Sequence, residues 1–164
     1  MLTGRALVAV KLLKPFGDWK AGDMVLIEDW KAKELWESGV VEIIDESDKV
    51  IIELEKAITE ERENKPLADI DESLYERAEF YIYYLSKLLQ DGQSLPPESL
   101  KAYLAKLSNL KEKYEELKTI RFGKILKTVM LRPNSLEVLS KLAPEEREIY
   151  LQMSKIRIKW LGEG

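Results

Sequence analysis

Three groups of residues in this chain have the type and spacing to do chemistry. Two are carboxylate clusters, Glu60, Glu61 and Glu63, then Glu145, Glu146 and Glu148, which offer oxygen ligands of the kind a Mg²⁺ ion takes. The third is a basic run, Lys118, Arg121, Lys124, Lys127 and Arg132, with no carboxylate between Glu116 and Glu137. Projected on a helix, Arg121, Lys124 and Lys127 share one side, with Phe122, Ile125, Leu126 and Val129 opposite. Such a stripe suits phosphate contact or an acidic protein surface. Acidic connectors and the first turns of helices explain the carboxylate clusters without a metal.

The chain has no histidine and no cysteine. Ser-His-Asp and Cys-His catalysis, zinc sites and disulfides are therefore excluded within it. Phosphate-binding loops of the G-x-x-x-x-G-K-[ST] and G-x-G-x-x-G kinds are absent, as is the G-x-S-x-G turn. No constellation demands a reaction and none calls for a cofactor, so a binding or scaffolding protein is expected. No apolar run approaches the roughly 20 residues of a membrane span, so no membrane contact is expected.

The elements that must position these groups follow from the hydrophobic pattern. Arg5 to Leu13 reads as a buried strand ended by the turn at Pro15 to Asp18, and Met24 to Ile27 as a second strand after Gly22. Asp29 is the expected N-cap of a helix from Trp30 to Ser38, with Gly39 at its C′ position. Val40 to Ile44 supplies another strand. Residues 47–65 suit either a helix or a strand-to-helix switch. From Asp71 a wide apolar face through Leu89 marks a strong helix with Gly92 after its end, and Phe80, Tyr83 and Tyr84 fall on the opposite side. That aromatic group is either a second buried side or a contact surface for another subunit.

Leu100, Tyr103, Leu107, Leu110, Tyr114 and Leu117 form an apolar seam at spacings of three and four. Charge at Arg121 and Lys124 interrupts it, and a displaced set, Phe122, Ile125, Leu126, Val129 and Met130, takes over. A kink or break near Lys118 to Phe122 is expected. Asn134 or Ser135 can cap a short helix through Leu142. Pro144 opens a last one, with Ile149, Met153, Ile156 and Trp160 inward.

The expected fold class is α+β, mainly α: a small β-rich domain over residues 1–58, then a helical bundle over 59–164. Net charge is −4. It is unevenly spread, with residues 98–164 carrying 14 basic and 9 acidic groups. That part can meet an acidic partner or a phosphate backbone.

Two stretches resemble a known family. Residues 17–35, GDWKAGDMVLIEDWKAKEL, look like the small β-domain of GINS subunits at Gly17, Gly22, Val25, Trp30, Ala32 and Leu35. Residues 119–128, TIRFGKILKT, look like the Arg-x-x-Lys-Ile element of the GINS α-domain at Arg121, Lys124 and Ile125. Pro144-Glu145-Glu146-Arg147 is similar to the family's opening of the final helix. The β-module precedes the helices, and loops are short, as in the archaeal subunit related to the eukaryotic Psf-two and Psf-three pair.

The resemblance implies a non-catalytic subunit of the GINS complex in DNA replication, cytoplasmic and nucleoid-associated. It implies a 2:2 hetero-tetramer with the helices-first GINS subunit, linking the MCM helicase to a RecJ-like nuclease related to Cdc-forty-five. Phe80, Tyr83, Tyr84, Leu100, Tyr103, Leu107 and Tyr114 are the expected subunit-contact residues. Arg121, Lys124, Lys127 and Arg132 are expected in structural or acidic-partner contacts. In that role any contact with DNA is expected to be weak. The alternative is a nucleic-acid-binding module using tract 118–132, with an affinity that falls steeply with salt.

Overall fold

The computed structural model of the chain describes residues 2–64, 66–91 and 95–163. Its fold is α+β and mainly α, with a small N-terminal antiparallel sheet followed by helices. The described residues fall into two compact units, each discontinuous in sequence: residues 1–53 with 73–112, and residues 54–72 with 113–164. This differs from the expected division at residue 58. The two long helices that pass from one unit to the other explain the difference, since a boundary inside a helix leaves no composition shift to read.

In the first unit β1 (Leu7–Leu12) lies between β2 (Met24–Glu28) and β3 (Val41–Ile43), antiparallel to both. The period-2 alternation of β1 turns Val8, Val10 and Leu12 inward, each almost fully buried, in register with Ile27, Val25 and Val41 respectively. Leu7, Met24 and Leu26 stay exposed on the other face. The hairpin is closed by paired backbone bonds between Phe16 and Trp19 and by Gly22, whose φ of 92° is left-handed and whose N–H donates to the Leu12 carbonyl at 2.7 Å.

Helix α1 (Asp29–Glu37) follows β2 directly and buries Ala32 and Leu35. Asp29 is its first residue rather than its N-cap, a position held by Glu28 without a side-chain bond. Gly39, at φ 74°, ends the helix as expected.

Helix α2 (Ser47–Glu63) settles the ambiguous stretch 47–65 as helical over its described part, with Lys65 outside the described residues. Asp45 starts it by accepting the Ser47 N–H at 2.9 Å. Helix α3 (Leu74–Gln90) begins three residues later than expected, and Gly92 lies outside the described residues.

Phe80 and Tyr84 on α3 are buried within this chain. The Trp36 ring of α1 stands edge-on to Tyr84 at 5.0 Å and to Tyr83 at 6.0 Å, and Phe80 packs edge-on to Tyr81 at 5.2 Å. Tyr83 is half-buried, donates its hydroxyl to the Glu37 carboxylate and carries the Lys33 ammonium over its ring. The subunit-contact expectation is thus corrected for Phe80 and Tyr84. A helix flanked on two sides is apolar all round, and here the fold itself supplies the second side.

Helix α4 (Pro97–Leu131) is continuous over 35 residues, which corrects the expected break at Lys118 to Phe122. Leu107 is buried, Leu100, Tyr103 and Tyr114 are half-buried, and the seam runs on through Leu110, Leu117, Arg121, Ile125 and Val129. Leu107 is therefore covered by its own chain, not kept open for a partner. Phe122 and Met130, expected on a new inward face, are exposed. The charge does not end the stripe because Arg121 is itself a buried seam residue.

In the second unit, α4 ends at Arg132-Pro133, with Asn134 in the left-handed region at φ 53°. Ser135 caps α5 (Leu136–Ser140) through the Val138 N–H. Helix α6 (Pro144–Leu161) has the expected start but a different inward face, since Glu146, Tyr150 and Ser154 are buried while Ile149, Ile156 and Trp160 are exposed. The inward stripe is rotated by about one residue, because the polar groups of all three residues find partners inside. Leu67, Ile125, Val129, Val138, Leu142 and Tyr150 form the core of this unit. No helix among the described residues is long and apolar enough to cross a membrane.

Candidate functional site

The stretch Arg121-x-x-Lys124-Ile125 is the centre of a buried charge cluster in the second unit. The period of α4 places Arg121 one turn after Leu117 and one turn before Ile125, so its guanidinium enters the core with 1% of its surface exposed. Leaving a cation there unpaired is costly, and every guanidinium N–H finds an acceptor. Nε and Nη2 form a parallel pair of bonds to the Glu146 carboxylate at 2.6 and 2.8 Å. Nη1 donates to Glu61 Oε1 at 2.5 Å and to the Ala68 carbonyl at 2.8 Å, and Nη2 also donates to the Lys141 carbonyl at 3.1 Å.

Both carboxylates are further satisfied. Glu61 Oε1 accepts the Ala68 N–H at 3.0 Å, and Glu146 Oε1 accepts the Ala143 N–H at 2.9 Å. Lys124, one turn after Arg121, donates to Glu61 Oε2 at 2.6 Å and to the carbonyls of Glu61, Asn64 and Pro66. Two cations thus face two anions, and the cluster is neutral as a whole. Its bonds tie α4 to the end of α2, to the connector 64–68 and to the turn between α5 and α6.

Arg121 and Lys124 are committed inside the unit, and of the tract only Lys118, Lys127 and Arg132 remain exposed. Lys118 sits over the Tyr114 ring at 4.9 Å, and Arg132 pairs with Glu137 at 2.6 Å. The Glu137 carboxyl is accordingly held below its ordinary pKa by that hydrogen bond and charge. Lys127 makes no hydrogen bond or ion pair among the described residues. The carboxylate clusters are also divided, for Glu61 and Glu146 turn inward to Arg121 while Glu63 and Glu148 face outward. Among the described residues no group of three or more acidic side chains is placed to hold a metal.

A second buried acid, which sequence reasoning treated only as a cap, lies in the first unit. Asp29 is fully buried, and its Oδ1 accepts N–H groups from Gly4 at 2.8 Å and Trp30 at 2.7 Å. Its Oδ2 is buried without a hydrogen-bond partner. Burial pushes its pKa up, and the charges of Glu76 and Glu28 add to the effect. Nearby, Glu76 pairs with Arg5 at 3.3 Å and accepts the Thr3 hydroxyl. Gly4 fits because it has no Cβ: at φ 93°, a methyl there would sit 2.7 Å from the Glu28 carboxylate. These bonds hold the N-terminal segment against α1 and α3.

A readable signal for the Arg121 cluster does exist in the sequence. Glu61 follows Leu54 and Ile58 on the buried stripe of α2, Glu146 precedes Tyr150 and Ser154 on that of α6, and Arg121 sits between Leu117 and Ile125. Charges of opposite sign at seam positions imply a buried pair. No protein-family model matches the chain, and no curated protein matches it in sequence.

Proposed function

We propose that this chain is a non-catalytic structural subunit of a GINS complex, of the kind with the β-module first, acting in DNA replication. In that role it assembles with a helices-first GINS subunit as a 2:2 hetero-tetramer, and links the MCM helicase to a RecJ-like nuclease related to Cdc-forty-five. Its place is then the cytoplasm, at the nucleoid.

One observation carries the proposal. The two helical stretches on which the resemblance rests, Arg121-x-x-Lys124-Ile125 and Pro144-Glu145-Glu146-Arg147, meet in the Arg121–Glu146 ion pair. Motifs that persist for structural reasons are expected to pair in this way. The order of a small sheet before the helices adds support. So does the side-chain chemistry, since Arg121 and Lys124 are consumed in bonds to Glu61, Glu146 and backbone carbonyls, as suits a scaffold.

Sedimentation of the purified chain, alone and mixed with a helices-first GINS subunit, tests the proposal. A stable complex with two copies of each chain is expected. A well-behaved monomer indifferent to that partner would overturn it.

A further inference from the structure

A groove of about 830 Å³ opens on the second unit beside the buried cluster. Its volume lies in the range of about 300–1,000 Å³ typical of sites that hold small ligands and side-chain anchors. Leu67 and Val138, both members of the unit's core, line it, and Leu131, 81% exposed, forms an apolar lip. Lys127 and Lys141 also line it. Neither ammonium makes a hydrogen bond or close ion pair among the described residues, and Lys141 reaches Glu137 only through longer-range charge.

We infer that this groove is a docking site for a short acidic peptide segment of a partner protein, one that places a large apolar side chain between carboxylates. The apolar lining takes the anchor, and the two ammoniums take the flanking charges. Charge complementarity favours this occupant over a nucleic acid. The groove's lining carries five cations, Arg62, Lys124, Lys127, Arg132 and Lys141, against the two carboxylates of Glu61 and Glu137, so the groove is net positive. Three of the five are engaged, Arg62 by Glu116, Lys124 by Glu61 and Arg132 by Glu137. Two free cations match one peptide with one or two carboxylates, whereas a nucleic acid needs several neutralised phosphates.

The groove is also preformed. Lys124 holds the carbonyls of Asn64 and Pro66 at 2.7 and 3.1 Å, so these two lining residues are held in place before any ligand arrives. Lining residues already in place reduce the ordering cost of binding. The inference concerns a surface of the second unit and stands independently of membership in the GINS family.

The test is selection of a library of short random peptides displayed on phage against the full-length chain. The recovered peptides are then synthesised with a fluorescent label and titrated by anisotropy, beside a labelled oligothymidylate. Recovered peptides should share an apolar anchor flanked by Asp or Glu. Their affinity should fall at least about tenfold in the Lys127→Glu, Lys141→Glu double variant and in Leu131→Ser, as loss of a charge pair or an anchor predicts. Because only exposed or half-buried side chains change, both variants should keep the parent's thermal transition. Failure to enrich any such peptide, or binding untouched by both variants, would overturn the inference. Oligothymidylate binding that shares the dependence on Lys127 and Lys141 would overturn it in favour of a nucleic-acid site.

Discussion

Arg121 grips Glu146 through two parallel hydrogen bonds, Nε to Oε2 at 2.6 Å and Nη2 to Oε1 at 2.8 Å, in a site that water does not reach. The geometry uses the planar fork of arginine, which lysine lacks. Removing the guanidinium deprives the buried Glu146 carboxylate of its bidentate cation and leaves Glu61 with Lys124 and the Ala68 N–H alone. Arg121→Ala should therefore destabilise the second unit by about 3–5 kcal/mol. Arg121→Lys should recover only part of that, because one ammonium cannot reach both carboxylates and two carbonyls. Urea unfolding followed by circular dichroism measures both. Under the proposed GINS assembly, loss of binding to a helices-first subunit should accompany the instability, while an Arg121→Ala chain that assembles normally and loses only DNA affinity would contradict this account.

Asp29 gives the first unit a pH dependence of definite sign. Its folded-state pKa lies above the ordinary carboxylate value, mainly through burial. Between the unfolded and folded values the native state holds the proton more tightly, so stability is greatest at the acid end and falls as pH rises through the folded pKa. Asp29→Asn keeps an oxygen for the Gly4 and Trp30 N–H groups and removes the titration. Its stability, measured by denaturant unfolding from acid to neutral pH, should lack this decline. Parallel curves for the two proteins would show that Asp29 does not titrate in the window.

Tyr84 should ionise late. Burial, reinforced by the charges of Asp45, Tyr103 and Glu42, pushes its hydroxyl up to about 12. An ultraviolet absorbance titration of the native protein should show a late-ionising tyrosine that joins the main transition once denaturant is added. Phe80 beside it is fully buried, and Phe80→Ala should cost about 3–5 kcal/mol through the cavity it leaves.

The two aromatic residues of α6 should behave oppositely. Trp160 is 86% exposed, and Trp160→Ser should change stability by no more than about 0.5 kcal/mol. Tyr150 is fully buried, donates its hydroxyl to the Arg132 carbonyl and accepts the Ser135 N–H at 2.9 Å. Tyr150→Phe strands both groups and should cost about 1–3 kcal/mol. Thermal melts of the two variants compare them directly.

Much of the local structure was legible in the sequence: the three strands, the turn glycines, the start of the last helix at Pro144, and a cap at Asn134 or Ser135, of which the fold uses Ser135. These depend on period, proline, glycine and capping chemistry, all of which act within a few residues. The sequence also determined what the chain cannot do, since absent histidine and cysteine need no structure to interpret. Only the tertiary structure decided where the charges go. Arg121 interrupts an apolar seam when α4 is read alone and completes it when Glu61 and Glu146, 60 and 25 residues away, are brought alongside. The same holds for Tyr84, which the Trp36 ring of α1 covers. Burial is a property of what another segment supplies, and a charge on a helix stripe carries its meaning only once its partner is in place.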